Sequence, residues 1–274
     1  MKYIAPDGWF SLEYPAGWHE FEDTEDTFLF YNPDVWTGNF RISASMGDNA
    51  NYGRLCVNDD LKQVPGARRK KCGGVDCAYY TENFREQGQA YTTHFWVMDQ
   101  GEMCIECSFT APQGSSTEVA EQILTTVKPR PADKVLPQEI IPVRVCEISE
   151  VNAAYDEISS LVKKKLSKDF TSSEEDIARL QQLIDGDVIP PSQRLMWEHL
   201  GITFGTILIN EIDGLDWVTV IEGRKGYAAL RYKDTPLMFN PAHWVWNSVK
   251  TKHACRLADE YQRICSEVEQ LINA

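Results

Sequence analysis

The sequence lacks long apolar runs, and this absence argues against a helix that spans a membrane. Its longest nearly apolar run, residues 201–209, is far shorter than the ~20 residues with which an α-helix crosses a bilayer. No transmembrane helix is therefore expected. The first residues contain no apolar stretch of the kind found in a secretory signal. A cytoplasmic location is the resulting expectation.

Basic charge is also scarce. The 274 residues include 41 acidic and 27 basic side chains, which gives a formal net charge of −14. Because nucleic acids and anionic membranes attract proteins through negative phosphate groups, this balance argues against both as partners. Two basic clusters, residues 68–71 and 163–165, are expected to be solvated faces of a strand or a helix.

Catalytic and nucleotide-binding motifs are missing as well. The sequence has no G-x-S-x-G elbow, no G-x-x-x-x-G-K-[ST] phosphate loop and no G-x-G-x-x-G after a strand. Its five histidines show no H-E-x-x-H spacing. Ser160 and Lys163 match S-x-x-K, but the accompanying S-D-N and K-T-G elements are absent. No catalytic residue, metal site or cofactor is predicted.

The eight cysteines are expected to be thiols, because the cytosol keeps thiols reduced. Cys104 and Cys107 form a C-x-x-C, but they lie within a predicted strand, where positions three apart point to opposite faces. A shared metal is therefore not expected. Cys72 and Cys77 flank the Gly73-Gly74 turn, and both a disulfide and a pair of buried thiols fit that arrangement.

The length of the chain exceeds the usual ~100–200 residues of one domain, so two domains are expected. Proline is concentrated between residues 128 and 142. The predicted organisation is a first domain over residues 1–130, a proline-rich linker over 131–146 and a second domain over 147–274.

Hydrophobic periodicity predicts the elements of both halves. In the first half it predicts strands over 10–14, 27–31 and 40–45, a helix over 55–64, a four-strand meander with turns at 73–74 and 99–101, and a closing helix after a capping box at 115–118. In the second half it predicts helices over 148–162, 175–186 and 190–209, strands over 216–222, 227–232 and 236–249, and a final helix from 257.

The run from Phe10 to Trp18, which reads FSLEYPAGW, resembles the opening hairpin of the PsbP-like family. The resemblance covers residues 1–130 and extends to the order of strands and helices. It implies a central antiparallel sheet flanked by helices, and a scaffold that binds or assembles other proteins.

The second half resembles a bacterial domain of unknown function. The resemblance rests on Gly201, Phe204 and Gly205, on the run GLDWV from Gly214, and on the run ALRY from Ala229. The predicted elements make this half an α+β domain with helices first, then a small antiparallel sheet closed by a long helix. The resemblance implies no catalytic residue.

One cluster in the second half combines large aromatics with an arginine and a histidine, which is a composition typical of protein contacts and ligand pockets. Its members are Trp217, Arg231, His243, Trp244 and Trp246. Placed in a strand, Trp244 and Trp246 share one face, and they either line a groove or pack beneath the last helix.

Two hypotheses of function follow. The leading one is a non-catalytic adaptor or protein-binding protein, whose partner is another protein, because the catalytic motifs are absent and the first half resembles a scaffold. The alternative is a hydrolase-like enzyme, whose site is formed by His243, Arg231 and the acids Asp213 and Asp216.

Overall fold

The computed structural model describes residues 1–22, 26–130 and 137–273. The chain divides into two compact units, the first comprising Met1–Pro137 with Glu222–Lys225 and the second Gln138–Ile221 with Gly226–Ala274. Both combine helices with antiparallel strands, so the expected α+β class is confirmed. Within the described ranges, no helix has both the length and the apolar character needed to cross a membrane.

The first unit is built mostly from strands. Its strands are β1 (Lys2–Ile4), β2 (Phe10–Glu13), β3 (His19–Phe21), β4 (Thr27–Tyr31), β5 (Asn39–Met46), β6 (Arg68–Cys72), β7 (Val75–Glu86), β8 (Gln89–Gln100), β9 (Met103–Pro112) and β10 (Lys128–Pro129). Its helices are α1 (Tyr52–Gln63) and α2 (Glu118–Thr126).

A seven-stranded sheet in the order β3-β4-β5-β9-β8-β7-β6 forms the centre of this unit. On one face, α2 and the small β1-β2-β10 sheet bury an apolar cluster that includes Phe10, Phe40, Trp96 and Phe109. On the other face, α1 packs Val57 against the sheet. The meander β6-β7-β8-β9 and the flanking helices match the architecture that the PsbP resemblance implied.

The predicted opposition of Cys104 and Cys107 is confirmed. Cys104 packs with Val57 in the cluster beneath α1, whereas Cys107 belongs to the cluster on the α2 face. Successive side chains of a strand alternate between faces, so residues three positions apart on β9 lie on opposite faces. The sheet therefore lies between the two sulfurs.

The predicted capping box at residues 115–118 is not formed, because the helix begins two residues later than the box requires. The helix begins at Glu118 with Thr117 as its N-cap, and neither serine makes the predicted bond to the third helical amide. Instead, the Ser116 hydroxyl accepts from the amide of Glu118 at 3.1 Å, and the Thr117 hydroxyl donates to Glu121 at 3.1 Å. Glu121 therefore accepts from a side-chain hydroxyl, and not from a backbone amide as was predicted for Glu118.

Part of the predicted linker is a strand. Residues 131–136 lie outside the described residues, but β11 (Glu139–Pro142) pairs antiparallel with β12 (Leu215–Glu222), and α3 begins at Val145. A proline at the end of an edge strand removes no hydrogen bond from the ladder, so Pro142 is compatible with pairing. The second unit therefore begins well before residue 147.

The second unit places helices around a four-stranded sheet in the order β11-β12-β13-β14. Its remaining elements are α3 (Val145–Leu166), α4 (Glu175–Asp185), α5 (Arg194–Glu211), β13 (Lys225–Tyr232), β14 (Met238–Phe239), α6 (Pro241–Lys250) and α7 (Leu257–Ile272). Its core includes Phe204 of α5, Leu230 of β13 and Ile264 of α7, all with 1% exposure or less.

A buried ion pair lies at the start of α3. The guanidinium of Arg144 donates to the Glu147 carboxylate through Nε at 2.8 Å and through a second nitrogen, and both side chains are only 4% exposed. The Thr219 hydroxyl of β12 donates to the same carboxylate at 2.9 Å. The pair thereby joins the first turn of α3 to the sheet.

The predicted strand over 236–249 is wrong. Only Met238–Phe239 is extended, and a helix follows from Pro241. The Asn240 side chain accepts from the amide of His243 at 2.9 Å, and proline occupies the first helical position. An asparagine N-cap followed by proline is a helix start, and it prevails over the aromatic residues that favour a strand.

Helix α6 packs closely against α5 at Gly201. A Cβ added to Gly201 would lie 2.4 Å from the carbonyl oxygen of Pro241 and 2.7 Å from the Cα of Ala242. Real Cβ atoms do not approach backbone so closely, so only glycine permits this helix crossing.

Candidate functional site

The structure does not place the predicted aromatic cluster of the second unit on one strand face. Trp244 and Trp246 lie on α6, and Trp217 lies on β12; all three are half-buried against the core. The Trp244 ring lies 6.3 Å from that of Phe204 and 6.1 Å from that of Phe239. These contacts are packing contacts, and a binding role of the cluster stays a prediction.

The polar members of that cluster point to local partners. Arg231 donates through Nε to the carbonyl oxygen of Thr235 at 3.1 Å and lies 3.6 Å from Asp234. His243 is exposed, and among the described residues no carboxylate lies within hydrogen-bond distance of its ring. The described geometry therefore shows no acid–base pair for the hydrolase hypothesis.

A different surface of exposed aromatic rings lies on the first unit, on the sheet face that α1 covers in part. The Phe84 ring of β7 stacks on Tyr91 of β8 at 5.4 Å, and the Trp36 ring meets Tyr91 edge-on at 6.2 Å. By strand alternation Phe95 lies on the same face, stacked on Tyr80 at 4.7 Å. We name the surface formed by Trp36, Phe84, Tyr91 and Phe95 the open sheet face.

Two of these rings remain accessible although neighbouring side chains hold them in place. Phe84 is 42% exposed and Trp36 is 41% exposed. The Trp36 indole nitrogen donates to the Asn39 side chain at 2.6 Å. Upstream, the Asn32 side chain accepts from the amides of Asp34 and Val35, which fixes the turn that carries Trp36. Large rings held in position and left exposed lose little entropy on binding.

A groove of about 700 Å³ adjoins the open sheet face at Trp36. Its wall is formed by Pro112 at the end of β9, Ser115 before α2, and Glu118 with Val119 in the first turn of α2. We name it the Trp36 groove. The indole of Trp36 thus borders both an aromatic surface and a recess.

Carboxylates accompany the aromatic rings. Burial, and then the neighbouring Asp60, raise the pKa of Glu106 on β9. Burial raises the pKa of Tyr80, and Asp60, Glu82 and Glu106 raise it further. Among the described residues, none of these three carboxylates forms a salt bridge. Arg41 lies near Glu106 at the wall of a small depression.

Comparison with known proteins assigns the first half of the chain to a family. A family model described as a domain of unknown function (DUF3805) matches residues 1–152. The chain belongs to the DUF3805 family. A second model, also described as a domain of unknown function (DUF3806), matches residues 176–261. The predicted succession of a PsbP-like segment and a domain of unknown function is confirmed.

Solved structures similar to this DUF3805 chain differ widely in extent. A crystal structure from Bacteroides thetaiotaomicron has 42% sequence identity and a TM-score of 0.93, covering 97% of this chain and 98% of that chain. LpqN of Mycobacterium tuberculosis, described as involved in cell envelope biogenesis, has 14% identity and a TM-score of 0.32, covering 48% and 91%. PsbP (CyanoP) of Synechocystis has 11% identity and a TM-score of 0.25, covering 47% and 92%. No curated protein matches the sequence.

The open sheet face of the DUF3805 segment was not anticipated from the sequence. The available signal was Val35-Trp36 between Pro33 and Gly38, two large apolar residues in a loop bounded by turn formers. Nothing in the sequence indicated that Phe84 is exposed. Side chains alternate between the two faces of β7 in the same way whether or not a helix covers one face.

Proposed function

We propose that this protein binds a basic segment of a partner protein on the open sheet face. The observation that carries the proposal is the set of pre-ordered, accessible rings of Trp36 and Phe84. Tryptophan and tyrosine anchors contribute a large share of binding energy at protein interfaces. The Trp36 groove supplies a recess for one side chain of the partner.

Charge supports the choice of a basic partner. Asp60, Glu82 and Glu106 lie around Tyr80; after burial, these carboxylates raise the pKa of Tyr80, and Asp60 raises that of Glu106. Lysine or arginine side chains of a partner would relieve this repulsion and would also be attracted by the net charge of −14. We also propose that binding occurs in the cytoplasm, consistent with cysteines that are all thiols.

The experiment that tests the proposal is site-specific photo-cross-linking in the producing cell. A photoreactive phenylalanine analogue replaces Phe84, and the matched control carries it in place of Leu195, which is 62% exposed on α5. The expected result is a discrete adduct from position 84 alone, whose partner contributes a basic segment. Identical adducts from both positions, or none from position 84, would contradict the proposal.

With the partner identified, alanine variants measure the contribution of the rings. Trp36→Ala and Phe84→Ala are each expected to weaken binding about tenfold, the equivalent of about 1.4 kcal/mol. Leu55→Ala, at an exposed apolar residue of α1, is the control expected to bind as the parent does. Equal affinities of all three variants would place the interface elsewhere.

A further inference from the structure

Two cysteines of the first unit lie close enough to react with each other. Cys72 ends β6 and Cys77 lies on β7, joined by a turn in which Gly73 and Gly74 both have positive φ. Such a two-glycine turn is typical of a tight hairpin. It places the two sulfurs 3.6 Å apart, with the Cys77 thiol donating toward Cys72.

The surroundings distinguish the roles of the two sulfurs. The hydrogen bond from Cys77, and then the ammonium of Lys70, hold the pKa of the Cys72 thiol below its ordinary value despite burial. The pKa of Cys77 is raised, first by the same hydrogen bond and then by burial. Lys70 is fixed beside them by a 2.8 Å bond to Glu121. Cys72 is therefore the better nucleophile.

The pair also lies at the rim of the sheet. In the seven-stranded order β6 is an edge strand, so among the described elements no further strand lies beyond it. Cys72 is 6% exposed and Cys77 is fully buried. A small reagent thus reaches Cys72 before Cys77.

We propose that Cys72 and Cys77 form an oxidisable dithiol, which peroxide converts to a disulfide with Cys72 as the attacking sulfur. The Cys72 thiolate attacks one peroxide oxygen, the O–O bond breaks, and hydroxide leaves and takes up the thiol proton as water. Cys72 is then a sulfenic acid. The Cys77 sulfur attacks Cys72, the S–O bond breaks, and a second water leaves with the Cys77 proton. The two thiols lose two electrons, and peroxide gains them.

The closing step requires little movement. A disulfide has an S–S distance of about 2.05 Å, so the sulfurs approach each other by about 1.5 Å. Rotation of the two side chains about their Cα–Cβ bonds supplies this displacement.

A second pair of cysteines in the chain serves as a control for the reactivity of Cys72 and Cys77. Cys56 of α1 and Cys104 of β9 also pack in one cluster, on the opposite sheet face. Burial raises the pKa of Cys104 first, and the neighbouring Glu106 and Asp60 raise it further. This pair lacks the lysine and is expected to oxidise more slowly.

The test treats the full chain with hydrogen peroxide, blocks remaining thiols and digests with trypsin. Cleavage after Lys71 and Arg85 releases both cysteines in one peptide, residues 72–85. The expected product is this peptide with an internal disulfide, formed before the Cys56 and Cys104 peptides change. The proposal would be overturned if the Cys72–Cys77 disulfide formed no faster than Cys56 and Cys104 are oxidised. It would also be overturned if Cys72 became a sulfinic acid and no disulfide formed.

Variants separate reactivity from folding. Lys70→Met is expected to slow bridging about three- to tenfold, whereas Lys71→Met, at the exposed neighbour, leaves the rate unchanged. Cys77→Ser is expected to leave a sulfenic acid on Cys72 that dimedone traps, and Cys72→Ser to give little adduct on Cys77. Equal trapping in the two serine variants would overturn the role of Cys72.

Discussion

At the residue scale, the buried carboxylate of Glu147 joins three groups. Burial alone would raise its pKa, but the hydrogen bonds and charge of Arg144, with bonds from Thr219 and Cys146, hold the pKa below its ordinary value. Removing one partner of a buried ion pair leaves an uncompensated charge, which costs more than the intact pair contributes.

Glu147→Gln is therefore expected to lower the free energy of unfolding by about 3–5 kcal/mol, because Arg144 then stays buried without its counter-charge. Urea unfolding followed by circular dichroism measures the change. The control is Glu198→Gln, which removes a pair with Arg194 on an exposed helix face and is expected to cost less than about 1 kcal/mol. A loss of equal size in both variants would contradict the role of burial.

The pKa of Glu106 is shifted in the opposite direction from that of Glu147, so its ionisation has the opposite effect on stability. Because its folded pKa is raised above the ordinary 4.5, its ionised form destabilises the fold at neutral pH, and this penalty disappears as pH falls below the unfolded value. Glu106→Gln is expected to raise the urea midpoint at pH 7 and to leave it unchanged near pH 4. The gain is modest, since the side chain is partly exposed.

The same variant tests the open sheet face. If Glu106 meets a basic partner, Glu106→Gln weakens partner binding while it stabilises the fold. Glu157→Gln, which removes a carboxylate of α3 paired with His199, is the control expected to bind unchanged. Unaltered binding by Glu106→Gln would remove that carboxylate from the interface.

At the element scale, α6 depends on its first residues. Asn240→Ala removes the side chain that accepts from the His243 amide and is expected to cost about 1 kcal/mol. The matched control is Asn247→Ala, at an exposed interior position of the same helix, which is expected to be neutral or stabilising. Urea unfolding compares the two, and equal losses would contradict the capping role.

The elements differ in how far the sequence predicts them. Helix α7 was predictable, because Leu257, Tyr261, Ile264 and Val268 recur at helical spacing and all prove buried. Helix α6 was missed because its aromatic residues favour strands when considered alone, although Asn240-Pro241 is a start signal. Of the open sheet face, Trp36 alone had a signal in the sequence; Phe84 was beyond prediction, since its exposure depends on where α1 ends across the sheet.

At the scale of the whole molecule, the boundary of the second unit is testable by truncation. A fragment beginning at residue 138 keeps β11 and Arg144, whereas one beginning at residue 147, the predicted domain start, loses both. The longer fragment is expected to fold cooperatively. The shorter one exposes the edge of β12 and leaves Glu147 without the guanidinium of Arg144, so it is expected to aggregate.

Thermal unfolding by circular dichroism, with light scattering, distinguishes the two fragments. The DUF3805 match ends at residue 152 and the second DUF match begins at residue 176, inside α4, so neither match boundary marks residue 138 or residue 147 as the start of the unit. Equal solubility and melting temperatures would show that β11 is dispensable to the unit.

Strand β6 carries Arg68, Arg69, Lys70 and Lys71 along the rim of the seven-stranded sheet. In a chain so rich in acidic residues, this concentration of cations protects the sheet edge against pairing with a second molecule. Two molecules that met rim to rim would set like charges opposite one another, and the sheets would not join into a longer ribbon. The net charge of −14 also opposes association of the molecules, while the basic rim shields the sheet edge that carries Cys72.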